Sequence, residues 1–334
     1  MAESVERIKT VVVAESDRSK NTIISTKKAA PEDDPASKVD VDKIEAINKR
    51  NWAEKLTEYK RKPGSLILFI LVHLATLITV LSIGFLLVYV LVKGIPNLNS
   101  DIFSWEYTSD NCSLVPALIN TVYMTILSLL IAGPIGIFAA IYLVEYAKTG
   151  NKLVGVVRIT AETLTGIPSI VYGLFGMLFF TNACGLRLSL ISGALTLSIM
   201  VLPVIMRTTE EALMAVPKSY REGSFGLGAG RLRTVFKVVL PSAVPGILSG
   251  IILATGRIVG ETAALIYTAG SVAKMATSLT DSTRTLAVHM YLLSKEGLHT
   301  DQGYATAVVL LVLVVLINFA SDKIAGKVAA DKAN

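Results

Sequence analysis

Six stretches of this chain stay apolar for about twenty residues: Ser65 to Val92, Val115 to Ala147, Val157 to Phe180, Leu188 to Met206, Val244 to Ala269 and Tyr304 to Ala320. A helix rises about 1.5 Å per residue and the hydrocarbon core of a bilayer is about 30 Å thick, so each run is long enough to cross it. Six such runs predict an all-α membrane protein with six transmembrane helices. Pro134 and Pro168 fall within the second and third runs. Both are expected to be tolerated there, with neighbouring helices and water satisfying the freed carbonyls. With 52% hydrophobic and 17% charged residues, the 334-residue chain is too apolar for an ordinary soluble domain.

The charges lie mostly outside these runs. Residues 1–62 hold 14 of the 32 Lys and Arg and 12 of the 26 Asp and Glu, which predicts a polar, disordered cytoplasmic leader. That leader lacks the short basic start, apolar core and small-residue cleavage site of a secretory signal, and is expected to stay on the mature chain. A membrane domain over 63–325 and a cytoplasmic tail over 326–334 complete the expected division. Lys and Arg gather before the first run, after the second, between the fourth and fifth, and after the sixth. The bias of such cations towards the cytoplasm places both termini inside. The net charge of +6 follows from that topology, and no nucleic-acid partner is expected.

The connection over 207–241, between the fourth and fifth runs, is more than a linker. Pro217 suits a first helical turn, where its missing N–H is no loss. Residues 218–225 then read as a short helix, broken at Gly226 and Gly228, which can take positive φ without steric cost. The amphipathic "RLRTVFKVVL" follows and ends at Leu240-Pro241, where the fifth span is expected to begin. Helix, turn and helix predict a rigid cytoplasmic protrusion.

The spacing Glu222-Gly223-Ser224, three residues, Gly228, nine residues, Val238, one residue, Leu240-Pro241 resembles the EAA loop of ABC importer permeases. That family has Glu-Ala-Ala, then Gly, then Ile-x-Leu-Pro at the same intervals. Here Gly223, Ser224 and Val238 replace the two alanines and the isoleucine. The resemblance implies that Glu222, Gly223, Ser224, Gly228, Leu240 and Pro241 form the element that docks on an ATPase subunit. Three further phrases, "TGIPSIVYGLFG" at 165–176, "GRIVGETAAL" at 256–265 and "RTLAVHMYLLSKEG" at 284–297, are similar to the PstA-type permease of phosphate importers. The type I importer, MetI-like architecture is implied, over residues 65–325. Also implied are a PstC-type permease, a PstB-type ATPase dimer carrying ATP and Mg, a PstS-type phosphate-binding protein, and residence in a bacterial or archaeal cytoplasmic membrane. Another oxyanion as cargo, such as sulfate or molybdate, or a self-contained anion carrier, stays open as an alternative.

Catalytic chemistry is not expected on this chain. "GLGAG" lacks the following GK[ST] and the preceding strand of a phosphate loop. His73, His289 and His299 show no metal-ligand spacing, so neither metal nor bound cofactor is expected. No Ser sits in a nucleophile-elbow context, and the chain does not read as an enzyme. Cys112 and Cys184 both fall on the outer side in this topology, where a disulfide joining them is an option and two free thiols the alternative. Arg257 and Glu261 lie within the fifth run, where ionisable groups are costly and usually face a bundle interior or a water-filled path. Four residues apart, they are expected to share one helical face, either as an internal ion pair or with Arg257 lining the route of the anion and Glu261 holding it. The resemblance to phosphate permeases supports the second option.

Overall fold

The computed structural model describes residues 63–148, 150–297 and 299–330, so the leader and residues 331–334 lie outside the described residues. The chain divides into two compact units, residues 1–79 and 80–334. The described part of the first unit is the opening half of helix α1, Pro63–Gly94. Pro63 starts that helix, at a position where a fixed φ near −65° is an advantage. Its leucines, isoleucines and valines are exposed all round, from Ile67 to Val92. A helix apolar on every face is suited to lipid contact.

The second unit is built on α2 (Val115–Ile141), α5 (Leu190–Ala215) and α8 (Leu240–Val259), which pack extensively on one another. Met124, Leu197, Met200, Ile205 and Ile258 fill the centre. Lipid tails are as apolar as leucine, so packing of small residues and interhelical hydrogen bonds carry much of the association. Ser198 Oγ, on α5, donates to the Ser128 carbonyl of α2 at 3.1 Å. Between α4 (Ser169–Gly176) and α9 (Ala263–Thr268) the backbones nearly touch, and a Cβ on Gly173 would stand 2.8 Å from Ala264 Cα. Helices α10 (Leu286–Glu296) and α11 (Thr300–Ala330) close the unit. Among the described residues there is no strand.

Among the described residues, five helices are long and apolar enough to cross a membrane, and six if a bent pair counts as one span. That pair is the third run. Instead of one helix it forms α3 (Lys152–Thr165) and the α4 arm, which continues to Ala183 and lies at 104° to α3. Pro168 is therefore not absorbed as Pro134 is, whose helix continues to Ile141. A proline drives the residue before it out of the α region, and Gly166 just ahead adds a weak helix former. The Leu164 carbonyl at the break accepts from Ile167 N at 3.2 Å and from the Tyr172 hydroxyl at 2.7 Å. Two donors for one carbonyl stabilise the corner.

The fifth run also departs from expectation. Its helix already begins at Arg231, is unbroken through Leu240-Pro241, and stops at Val259. Gly260 closes the last turn, and α9 starts afresh at Ala263. At the far end of the chain, α11 runs to Ala330, beyond the residue 325 limit read from the sequence.

Candidate functional site

The connection after α5 leaves the helical body as a compact protrusion. Val216 is extended, Pro217 (φ −54°, ψ 137°) serves as N-cap, and α6 spans Lys218–Gly226. Pro217 thus sits one place earlier than the first-turn position read from the sequence. Gly226 is still helical, so of the two expected breaks only Gly228, at φ +80°, is the left-handed residue. Gly228 N donates to Phe225 O (2.9 Å) and Ala229 N to Ser224 O (3.1 Å), the paired bonds of a Schellman ending. Gly230 then caps α7 (Arg231–Thr234), and a wide π-helical turn, Val235–Val239, leads into α8.

Side chains fix the protrusion from within. Ser224 Oγ lies 2.8 Å from Thr234 Oγ1, tying α6 to α7. Arg221 reaches back to the body, with Nε and Nη2 donating to Glu145 Oε1 at 3.1 and 2.6 Å. Its Nη1 and Nη2 also donate to the Val216 and Leu213 carbonyls, both at 2.9 Å, which satisfies the open end of α5. The side chains of Arg221 and Glu145 are only 18% and 9% exposed, so this pair is shielded from screening. Nearby, Arg158 Nη2 on α3 meets Glu210 Oε1 on α5 at 2.5 Å. Neither pair is legible in the sequence, because its partners lie on different helices. Glu145, a lone carboxylate at the end of an apolar run, is the one hint.

The protrusion presents a cluster of apolar side chains outward, among the exposed charges of Lys218, Glu222, Arg231, Arg233 and Lys237. Tyr220, Phe225, Leu232 and Phe236 are exposed, and Leu227 is 91% exposed. Glu222 and Gly223 are exposed beside them, Gly228 lies at the exposed turn, and Leu240 and Pro241 are half-buried at the root. A braced surface with a cluster of uncovered aromatic and aliphatic side chains is what a partner-binding patch looks like. The six positions singled out by spacing are thus brought into one element.

Arg257 and Glu261 are not brought together. The helix ends between them, so they do not share a face. Glu261 is buried, and its Oε1 accepts from Ala264 N at 3.1 Å, capping the start of α9. Arg257 is half-buried in the last turn of α8, where the carbonyl end of the helix favours a cation. Among the described residues no carboxylate lies within ion-pair distance of it. The internal ion pair considered from the sequence is absent.

Cys112 and Cys184 are not joined either. Both thiols are free. Cys112 is buried with Sγ donating to Ser109 O at 3.4 Å, whereas Cys184 is exposed. The first sits in a loop whose backbone takes φ 45° there.

Residues 132–330 match the family of binding-protein-dependent transport system inner membrane components. The chain is 33% identical to the probable ABC transporter permease protein YqgI of Bacillus subtilis, over 74% of this chain and 90% of that one. It is 34% identical to the phosphate transport system permease protein PstA 2 of Mycobacterium bovis, over 70% and 78%. It is 39% identical to the PstA permease of Xylella fastidiosa, over 53% and 62%. Among solved structures, a chain of a bacterial alginate ABC transporter structure superposes with a TM-score of 0.60 at 14% identity, covering 81% of this chain and 97% of that chain. The inward-facing MetNI methionine ABC transporter gives 0.52 at 25% identity, covering 64% and 95%. The helical multi-pass body, the spacing in the protrusion and the match over residues 132–330 lead to one conclusion: the chain belongs to the family of binding-protein-dependent transport system inner membrane components, the permeases of ABC transporters.

Proposed function

We propose that this chain is the PstA-type permease subunit of an ATP-driven importer of inorganic phosphate across the cytoplasmic membrane. The observation that carries the reading is the braced protrusion with Gly228 at its turn and Leu227 at its tip. An uncovered apolar patch that is also mechanically fixed to two helices of the body suits a partner that must push on the permease. In this reading the protrusion and both termini face the cytoplasm, in line with the distribution of Lys and Arg. The partners are a PstC-type permease, a PstB-type ATPase dimer that binds ATP and Mg, and a PstS-type protein that delivers phosphate from outside. Closure of the ATPase pair on ATP draws the protrusions together and opens the path outward, and hydrolysis reverses the change. Such a switch requires contacts that differ between the two states. The protrusion is where they form.

Phosphate as cargo is supported by the PstA relatives and by Arg257, a half-buried cation without a carboxylate partner among the described residues. A guanidinium offers paired donors that match two oxygens of an oxyanion. Glu261, held by Ala264 N, fixes the backbone beyond it and leaves the guanidinium free. A second cargo, another oxyanion, is favoured by one observation only: the name of YqgI specifies none. Both readings are tested in proteoliposomes holding the complex captured through this chain. ATP-driven uptake of labelled phosphate that excess unlabelled phosphate abolishes, and equal sulfate or molybdate does not, is expected. Competition by sulfate alone assigns the other cargo. Absence of any ATPase from the captured complex, or phosphate uptake by this chain alone, overturns the permease reading.

A further inference from the structure

At the end of the body opposite the protrusion lies a second cation that the proposed transport path does not use. Arg284 is 6% exposed, and its Nε and Nη2 are buried without a hydrogen-bond partner. So is the hydroxyl of Thr285, the N-cap of α10. Buried polar atoms of native proteins are paired with protein, water or an ion in the great majority of cases, which makes three adjacent orphans from two side chains a distinct signal. No carboxylate among the described residues lies within ion-pair distance of Arg284. Asp110 and Glu296 act electrostatically on the neighbouring Cys112, but neither meets the guanidinium. Tyr107 supports it, with its ring centroid 4.5 Å from Arg284 Cζ. A cation–π contact of this kind leaves the N–H donors in the guanidinium plane unused.

The surroundings are built rather than slack. Asn120 on α2 donates from Nδ2 to the carbonyls of Lys274 (2.8 Å) and Arg284 (3.3 Å), and accepts from Ala276 N at 2.9 Å. Thr121 Oγ1 accepts from Leu286 N at 2.8 Å, and Arg284 N donates to Val272 O at 3.1 Å. The backbone that presents Arg284 is therefore pinned from both sides. His289, one turn along α10, is fully buried and packs edge-on to the same Tyr107 ring. Its Nε2 lies 3.3 Å from the Cys112 carbonyl, which can only accept, so Nε2 carries a proton, and Nδ1 is buried without a hydrogen-bond partner. Burial and the Arg284 charge lower the His289 pKa to about 3, so near neutral pH the ring is uncharged and does not compete with Arg284 as a cation.

We propose that Arg284 and Thr285 hold a compact inorganic anion beneath the 104–114 loop, through the paired guanidinium donors and the hydroxyl at the start of α10. Halide and oxyanion share the chemistry needed, a small anion that accepts from the donors and offsets the charge of the buried cation. The site is separate from Arg257 and does not depend on what the transporter carries. The test uses the whole complex, purified in gluconate and carrying Arg257→Gln so that the transport path does not contribute. Chloride, phosphate and sulfate are titrated separately while thermal unfolding is followed. A saturable rise in Tm with at least one of them is expected, and the anion that acts at the lowest concentration identifies the occupant. In Arg284→Gln the half-saturating concentration should rise about tenfold or more. Titrations that are flat for all three anions, or the same with Arg284→Gln, overturn the proposal. Should Arg284→Gln fail to assemble, crystals of the wild-type complex soaked in bromide decide by anomalous scattering. A peak within hydrogen-bond reach of Arg284 Nε and Nη2 supports the site, and none in these crystals or in crystals soaked in selenate overturns it.

Discussion

Arg257 is the residue on which the proposed transport chemistry rests. Arg257→Gln keeps a polar side chain of similar length and removes the charge, so the complex should assemble with its partners while phosphate uptake falls by about two orders of magnitude, as expected when a buried charge-assisted contact worth about 3 kcal/mol is lost. Uptake within twofold of wild type would sink its role. Glu261→Gln, which retains an oxygen able to accept from Ala264 N, should be far milder, and the same assay ranks the two. At the cysteines, burial pushes the Cys112 thiol above its ordinary range, while Cys184 is exposed. Since the thiolate is the reactive form, a maleimide should label Cys184 in the folded protein and Cys112 only after denaturation. Labelling of both in the native complex would contradict the burial. The sequence singles out Arg257 and Glu261 because ionisable groups are rare in apolar runs. Their lack of contact was not legible, because it depends on where α8 ends, and Gly260 and Thr262 give only weak signals for that.

Among the elements, the protrusion was the most legible, because a positive φ, a helix cap and an N-terminal proline leave distinct residue types at fixed spacing. The partition between Gly226 and Gly228 was not, since both are free to adopt the turn and only the Schellman bonds select one. Gly228 has open space around a would-be Cβ, so its backbone conformation alone limits substitution. A non-glycine residue in the left-handed region costs about 1–2 kcal/mol. Gly228→Val should therefore leave the spans inserted but lower the phosphate moved per ATP hydrolysed, measured with both rates in the same vesicles. Unchanged coupling would count against the protrusion as the docking element. The Arg221–Glu145 contact makes a sharper test, because removal of one partner of a buried pair costs about 3–5 kcal/mol. Glu145→Gln should stimulate ATP hydrolysis poorly with phosphate present, and a double-mutant cycle with Arg221→Gln should show non-additivity. The bend at Pro168 eluded the sequence reading for a related reason. Composition marks α3 and α4 as one apolar run, and the 104° corner at Pro168 is stabilised by the bond from the Tyr172 hydroxyl to the Leu164 carbonyl, which spacing does not reveal.

For the molecule as a whole, the apolar runs largely set the fold, because lipid leaves an isolated segment little choice but a helix. How the helices meet depends on single contacts between distant residues, such as Gly173 against Ala264, which no period reveals. One global consequence is pH dependence. Burial, reinforced by the Arg284 charge, lowers the His289 pKa from 6.5 to about 3. Between those values the unfolded chain binds a proton that the folded chain refuses, so stability is full above about pH 6.5 and is lost progressively as pH falls towards 3. His289→Phe should flatten that part of the Tm-against-pH curve, and an unchanged slope would show that other groups dominate. The unbroken helix from Arg231 to Val259 has a mechanical consequence. Arg231 and Arg257 stand on one shaft about 39 Å apart, so a rocking of about 5° about either end sweeps the other through about 3 Å. A stroke of that size is the length of a hydrogen bond, enough to offer or withdraw the guanidinium.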